Sequence, residues 1–295
     1  MNSRHSIALV CLLLGATTWG VVWYPFRILE GAGMTSSLST LAAYTLAVAI
    51  GCGLAPRAVC ELPRHAWHLA PIALFAGLSN VGFLIAATGT EVVRVVLLFY
   101  LAPVWTVPLA WFLLGERLNI RGLGVMVIAM AGALIILWRP ELGAPLPKNG
   151  FEWLALASGL SFAVTNVLVR RAQTASAEVK ALASCVGVLL VAFPAALLLQ
   201  PQIAHWPALL TANCLLIVVI GVLLLAMTIA MQHGLSVLPA NRAAVILLAE
   251  LIVAAIAAYF LAGEQLRITD GIGGALIVAG GLVSAMTPAS ETERG

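Results

Sequence analysis

One acidic residue, Glu250, stands by itself inside a long apolar segment. It lies between the sequences ILLA and LIVAA, and no other charged residue is within seven positions of it. A carboxylate at the depth of a bilayer costs about 2.5–3.5 kcal/mol on insertion scales, so such a group normally faces a cavity and marks a transport pathway. We predict that Glu250 carries a coupling proton or contacts a cationic substrate group, with partners from Thr18, Asn80 or Thr165. The alternative is a neutral carboxyl that hydrogen bonds between helices.

Two arginines occupy related positions, each at the start of an apolar segment. Arg94 and Arg242 are 148 positions apart and are expected to enter the membrane from opposite faces. A guanidinium group can bind a carboxylate through two parallel hydrogen bonds, which would suit an amino-acid substrate. Each arginine could instead be an interfacial residue that extends its charged group to water. The sequence leaves both interpretations open.

A stripe of polar side chains is the third feature that could do chemistry. Ser158, Ser161 and Thr165 have the spacing i, i+3, i+7, which places them on one face of a helix. Such residues line a cavity or hydrogen bond between helices, and nearby aromatic residues could form the walls of a binding site. The predicted substrate-binding residues are Thr18, Trp19, Trp23, Asn80, Phe83, Arg94, Tyr100, Ser161, Thr165, Asn166 and Arg242.

The composition indicates the elements that must position these residues. The chain has 295 residues, of which 62% are hydrophobic and only 9% are charged, against roughly 25% charged in an ordinary soluble domain. The run Ala181–Asn241 has no charged residue over 61 positions. Only helices and closed barrels satisfy their backbone hydrogen bonds in lipid, and continuous apolar runs of this length exclude the short alternating strands of a barrel. The sequence therefore predicts an all-α membrane protein.

Proline, glycine and charge clusters divide the chain into ten predicted membrane helices. Their approximate ranges are 6–26, 34–54, 66–89, 92–114, 121–138, 151–169, 180–199, 208–231, 239–261 and 269–286. The connection 139–150 separates a first half, 6–138, from a second half, 151–286, and residues 287–295 form a tail. With a cytoplasmic N-terminus, ten Lys and Arg residues lie on the cytoplasmic side and five on the other. Because cytoplasmic loops are rich in Lys and Arg, we expect both termini in the cytoplasm.

The two halves carry a repeated motif. FLLGERLNIRG at Phe112–Gly122 superimposes on FLAGEQLRITD at Phe260–Asp270. We interpret Glu116 and Glu264 as carboxylates that cap a turn or a helix N-terminus. Five helices per half is an odd number, so the second copy must enter the membrane from the opposite side. This is an inverted repeat, the architecture that lets one central site face either side in turn; the alternative is a duplicated packing module without a transport role.

The paired segments GERLNIRGLGVMVIAMAG and GEQLRITDGIGGALIVAG, together with Trp19-Gly20, resemble the two EamA domains of the drug/metabolite transporter superfamily. The resemblance covers about 6–137 and 151–286. It implies a central cavity lined mainly by helices 1, 3, 4, 6, 8 and 9, and export or exchange of amino acids or other small metabolites across a bacterial inner membrane. The family usually has proline in the middle of the fourth helix of each half. Pro103 keeps it, whereas Leu251 replaces it.

The leading functional hypothesis is a secondary active transporter that exports a small metabolite by alternating access and is not an enzyme. There are two alternatives. One is an intramembrane enzyme, and the other is a channel or scaffold protein. We expect a small-molecule substrate and the lipid bilayer as partners, and no cofactor. A net charge of +3 is too small to predict a nucleic-acid partner, and the five cysteines show no metal-ligand spacing. The oligomeric state is left open, with a monomer as the working expectation.

Overall fold

The computed structural model describes residues 3–90, 92–116, 119–138, 146–262 and 267–286. The helices formed by these residues are, in chain order, α1 (Ser3–Gly31), α2 (Ser36–Leu54), α3 (Pro56–Glu61), α4 (Ala66–Gly89), α5 (Val92–Phe99), α6 (Ala102–Leu114), α7 (Ile120–Leu137), α8 (Gly150–Arg171), α9 (Ala177–Leu199), α10 (Trp206–Ala212), α11 (Cys214–Val237), α12 (Ala240–Leu247), α13 (Ala249–Ala262) and α14 (Ile268–Met286).

These helices build ten membrane segments. The first half contributes α1, α2, α4, the pair α5–α6, and α7; the second contributes α8, α9, α11, the pair α12–α13, and α14. Within the described ranges, nine segments are long and apolar enough to cross a membrane, and 268–283 forms a shorter apolar tenth. The predicted all-α architecture of ten membrane segments is confirmed.

The boundaries of the eighth segment differ from the prediction. The apolar run suggested 208–231, whereas α11 runs from Cys214 to Val237. The leucines at 209 and 210 belong instead to the short helix α10 and pack against the apolar core. Asn213 separates the two helices. Since the residues on both sides of Asn213 are mostly apolar, the apolar run alone did not reveal the break.

Polar side chains begin several of the helices. Asn119 accepts a hydrogen bond from the backbone N–H of Gly122 at 2.7 Å, and Asn149 accepts one from Glu152 at 2.9 Å. Ser176 caps α9 in the same manner. Such caps satisfy N–H groups that have no partner inside the helix, so short polar residues fix where the apolar segments enter the membrane.

The fourth and ninth membrane segments are each broken in the middle. In the fourth segment the break lies at Tyr100 and Leu101, and Pro103 is the second residue of the helix that follows. In the ninth the break lies at Leu248, the position 148 residues after Tyr100. Around both breaks the backbone uses tighter i to i−3 hydrogen bonds: Val104 to the Leu101 carbonyl at 2.9 Å and Leu251 to the Leu248 carbonyl at 3.1 Å. The second break therefore forms without a proline.

Two apolar clusters pack against α1, one toward each end of the helix. One contains Leu12 of α1 and Ile246 of α12, and the other contains Leu29 of α1 and Leu224 of α11. Trp19 packs against both clusters. Of the residues at the breaks, Leu248 and Leu251 belong to a third apolar cluster, and Tyr100 packs against it.

Candidate functional site

The central feature is the close approach of Tyr100 and Glu250. Tyr100 lies in the break of the fourth segment, and Glu250 is the second residue of α13, just after the break of the ninth. The phenol group of Tyr100 lies next to the carboxyl of Glu250, close enough for the two groups to interact. The predicted partners of Glu250 were Thr18, Asn80 and Thr165, and Tyr100 was not among them. The structure instead joins one side chain from each half, at the equivalent breaks.

Aromatic side chains extend from this pair toward the sixth segment. The rings of Phe99 and Tyr100 are 5.6 Å apart, and Phe99 also contacts Phe83 of α4 at 4.9 Å and Phe162 of α8 at 5.4 Å, measured between ring centroids. Phe99 and Phe162 were not among the predicted site residues. A signal for Phe162 existed, because it matches Trp19 in the repeat. The four rings form one aromatic cluster beside the carboxyl.

Each break is contacted closely by the first segment of the opposite half. A Cβ atom at Gly20 of α1 would lie 2.9 Å from the backbone oxygen of Glu250, and one at Gly159 of α8 would lie 2.4 Å from that of Phe99. Only glycine permits contacts this short without a shift of the backbone. The first half thus packs on the ninth segment, and the second half on the fourth.

The predicted site residues of the first segment lie close to Gly20 along α1. Thr18 and Trp19 are half-buried, directly before Gly20. Trp23 is also half-buried, and its indole N–H donates to the Gly20 carbonyl at 3.0 Å. This bond secures Trp23 against α1 itself, so its polar atom is committed within the helix.

The polar stripe of α8 is buried, and its hydroxyl groups are used locally. Ser161 donates to the Ala157 carbonyl at 2.8 Å, and Thr165 donates to the Ser161 carbonyl at 2.9 Å. Bonds of this i to i−4 kind satisfy a hydroxyl without a second helix. Asn166 is buried beside them. The hydroxyl oxygens keep acceptor capacity, while the donors are already engaged.

Asn80 has a partner on a different segment. Its amide nitrogen donates to the hydroxyl of Tyr44 at 3.3 Å, and Tyr44 is buried in α2. Asn80 was expected to line the cavity and to reach Glu250. Its observed bond connects α4 to α2.

Arg94 forms a buried ion pair. Its Nε and Nη2 donate to the two carboxylate oxygens of Glu152 at 2.7 and 2.8 Å, and both side chains are about 95% buried. Nη2 also donates to the Leu146 carbonyl at 2.8 Å. The bidentate geometry expected for a substrate carboxylate is therefore made with Glu152 of the protein.

Arg242, the repeat mate of Arg94, has a different setting. It is the third residue of α12 and is half-buried. The offset of 143 that relates the first segments places Leu9 where Glu152 would be needed. The sequence therefore offers no carboxylate at that position, and the two membrane-entry arginines are not equivalent.

Comparisons with known proteins agree with this architecture. The sequence profile of the EamA-like transporter family matches residues 6–138 and 151–286. The chain belongs to the EamA-like transporter family. It is 28% identical over 231 residues to a protein named as an uncharacterized transporter from Archaeoglobus fulgidus, covering 78% of this chain and 80% of the relative. A protein crystal structure with 19% identity has a TM-score of 0.70 and covers 99% of both chains, which shows a shared fold.

Membership in this family establishes a multi-pass membrane protein that transports a small molecule. Within the part of the chain that the structure describes, no group of three or more His, Cys, Asp or Glu side chains could hold a metal ion.

Glu116, from the Gly-Glu motif that occurs twice in the sequence, stabilises one end of this EamA-like transporter. Glu116 accepts a hydrogen bond from the backbone N–H of Ala240 at 2.8 Å and pairs with Arg170 at 3.1 Å. Arg170 also donates to the carbonyl groups of Ser236 and Val237. The prediction that Glu116 caps a helix N-terminus is confirmed, and the helix is α12 of the other half. Glu264 lies outside the described residues.

Lys180 is a buried cation that sequence analysis used only to assign orientation. Its side chain is 1% exposed, and its ammonium donates to the Ser236 hydroxyl at 2.6 Å and to the Val169 carbonyl at 3.1 Å. Since Arg170 binds the carbonyl of the same serine, this end of the transporter joins the sixth, seventh and eighth segments. Nothing in the sequence indicated that Lys180 is buried with neutral oxygen atoms as its hydrogen-bond partners.

Proposed function

We propose that this protein is a secondary active transporter that exports an amino acid or a related small metabolite by alternating access. The observation that carries the proposal is the placement of Tyr100 and Glu250 next to each other at the breaks of the fourth and ninth segments. Substrate and coupling-ion sites in transporters with inverted repeats are typically built at such breaks, near the middle of the bilayer. We assign the protein no enzymatic reaction.

In the proposed cycle Glu250 exchanges a proton for substrate. When the site faces the outside, the carboxylate takes a proton from water, and the phenol of Tyr100 hydrogen bonds to the resulting acid. When the site faces the cytoplasm, the carboxylic acid gives that proton to water, and the carboxylate binds the ammonium group of the substrate. The acid is neutral during the inward step, which avoids moving a buried charge.

The aromatic cluster supplies the apolar part of the proposed site. Phe83, Phe99 and Phe162 present ring surface next to Tyr100. Small-molecule sites are mostly apolar, with a few polar groups that fix orientation. This combination favours a substrate with one cationic group and a compact organic side chain. Trp19, which packs on both apolar clusters, is proposed to close the site from the first segment.

Arg94 and Arg242 take different roles in this proposal. Arg94 stabilises the start of the fourth segment through Glu152. Arg242 is proposed to bind the carboxylate of a substrate at the membrane face where the ninth segment begins. Thr18, Trp23, Asn80, Ser161, Thr165 and Asn166 are assigned to the lining, where they position the helices that surround the pair.

We place the transporter in the bacterial inner membrane with both termini in the cytoplasm. The Glu116–Arg170 end is then cytoplasmic, in agreement with the larger number of Lys and Arg residues on that side. A cysteine introduced at Pro147, in a variant without the native cysteines, should react with an impermeant reagent added to intact cells. Reaction only after permeabilisation would reverse the orientation.

The function is tested in proteoliposomes with a panel of radiolabelled amino acids and metabolites under an imposed pH gradient. We expect accumulation of one class of compounds, abolished by an uncoupler. Glu250→Gln keeps the size and hydrogen-bonding capacity of the side chain but cannot titrate, so it should fold normally and lose gradient-driven transport. Transport by Glu250→Gln at the normal rate and with the normal pH dependence would show that Glu250 is structural. Uptake that is unchanged by the uncoupler would indicate a channel instead of a secondary active transporter.

A further inference from the structure

A groove outside the central site lies at the membrane face that carries the Glu116–Arg170 pair. It is formed between the beginning of α4 and the end of α8 and encloses about 510 Å³, partly open to solvent. The residues that line it are Trp67, His68, Pro71, Leu168, Arg171 and Ala172. The proposed transport cycle uses none of these residues.

The groove has a polar end and an apolar end. His68 and Arg171 lie at the first turn of α4 and the last residue of α8, so they are at the membrane surface. Pro71 and Leu168 lie three residues deeper along the same helices, about 4.5 Å at 1.5 Å per residue. The side chain of Trp67 is 89% exposed beside the polar end, which is the position that tryptophan favours at a membrane–water interface.

Arg171 differs from its neighbour Arg170. Arg170 pairs with Glu116 and with two backbone carbonyl groups. The Arg171 side chain is exposed, and its guanidinium has no hydrogen-bond or ion-pair partner among the residues that the structure describes. An arginine in a groove at this depth can bind a phosphate through two parallel hydrogen bonds.

We propose that this groove binds the headgroup of an anionic phospholipid. The phosphate accepts hydrogen bonds from Arg171 and His68, and the first acyl carbons lie against Leu168 and Pro71. Basic pockets between membrane helices are suited to anionic headgroups, and the apolar end selects a lipid over a soluble phosphate. A bound lipid would connect the ends of the third and sixth segments at the face where Arg170 joins the sixth and eighth.

The test measures lipid retention by the purified full-length protein. The protein is extracted from nanodiscs that contain equal amounts of phosphatidylglycerol and phosphatidylcholine, and native mass spectrometry counts the lipids that remain bound. We expect preferential retention of phosphatidylglycerol. Arg171→Gln should lower this retention about fivefold, the effect of one basic residue near an anionic surface, and Arg171→Glu should lower it further.

A matched control separates the groove from the general charge of the surface. Arg57 is an exposed arginine, the second residue of α3, and does not line the groove, so Arg57→Gln should retain phosphatidylglycerol like the native protein. A photoreactive phosphatidylglycerol should label peptides containing residues 66–72 and 168–172. Equal retention of the two lipids, an equal loss in Arg57→Gln and Arg171→Gln, or labelling elsewhere would each overturn the proposal.

Discussion

The fourth and ninth membrane segments break at equivalent positions but carry different chemistry. The fourth contains Pro103 and places Tyr100 at its break, whereas the ninth has Leu251 at the proline position and places Glu250 just after its break. The repeat mates of Tyr100 and Glu250 are Leu248 and Ala102. The backbone geometry thus follows the symmetry of the two halves, and the reactive side chains do not. A proton site needs one carboxyl rather than two, so function depends on the asymmetric positions.

The starts of the same two segments show a similar difference, and it leads to the largest expected effect. Arg94 has Glu152 as a buried partner, and the position in the first segment that matches Glu152 is Leu9. Glu152→Ala would leave the Arg94 guanidinium buried without its partner. We expect a loss of about 3–5 kcal/mol of stability, measured as thermal unfolding in detergent.

The control for this variant is Glu178→Ala. Glu178 also lies in the first turn of a helix, but it is exposed. Only its interaction with the helix N-terminus is lost, which is worth about 0.3–1 kcal/mol. Equal destabilisation by the two substitutions would show that the Arg94–Glu152 pair contributes no more than an ordinary acidic residue at a helix start.

The second prediction compares how closely each break is packed. Gly159→Ala would place a Cβ atom 2.4 Å from the Phe99 oxygen, and Gly20→Ala would place one 2.9 Å from the Glu250 oxygen. Overpacking of this kind costs about 1–3 kcal/mol, and we expect the larger loss of melting temperature for Gly159→Ala. Gly124→Ala is the control, since nothing lies within 4 Å of its Cβ position. The opposite order would show that the ninth segment is the more tightly held.

The third prediction isolates the hydroxyl group of the fourth-segment break. Tyr100→Phe keeps the ring and its contact with Phe99 but removes the hydroxyl group that lies next to Glu250 and can hydrogen bond to it. We expect gradient-driven transport to fall by up to about tenfold, because a hydrogen bond contributes roughly 0.5–1.5 kcal/mol. Its pH dependence should also change, while melting stays near the native value. Tyr259→Phe, at an exposed tyrosine of α13, should have no effect; an unchanged Tyr100→Phe would leave the hydrogen bond without a role in transport.

Apolar run length and the repeat were enough to predict the membrane segments and the capping role of Glu116. They could not identify which residue Glu116 caps, because Ala240 is 124 positions away. The same limit applies to Glu250. Helical spacing indicates which residues share a face of one helix, but it does not indicate which face of another helix packs against them. Tyr100 was therefore predicted as a residue that lines the cavity, and it was not predicted as the partner of Glu250.

Local sequence signals were misleading where a side chain has more than one possible partner. The guanidinium of Arg94 has the chemistry to bind a substrate, and Glu152 has the chemistry of a helix cap. Their ion pair appears only when α5 and α8 are packed together. The hydroxyls of Ser161 and Thr165 likewise satisfy themselves within α8, an outcome that their spacing along one face does not distinguish from a cavity lining.

The smallest expected effect tests why the helices break at all. If Pro103 caused the break in the fourth segment, Pro103→Ala would let α5 and α6 join and would displace Tyr100 from Glu250. The ninth segment argues otherwise, because it breaks at the equivalent position with Leu251 in place of proline. The close contact between Gly159 and the Phe99 oxygen also remains in the variant. We therefore expect the break to persist and transport to stay within about twofold of native, although one backbone N–H is restored. Pro108→Ala, further along α6, should behave alike. A tenfold loss in Pro103→Ala alone would mean that the two breaks, although equivalent in position, have different causes.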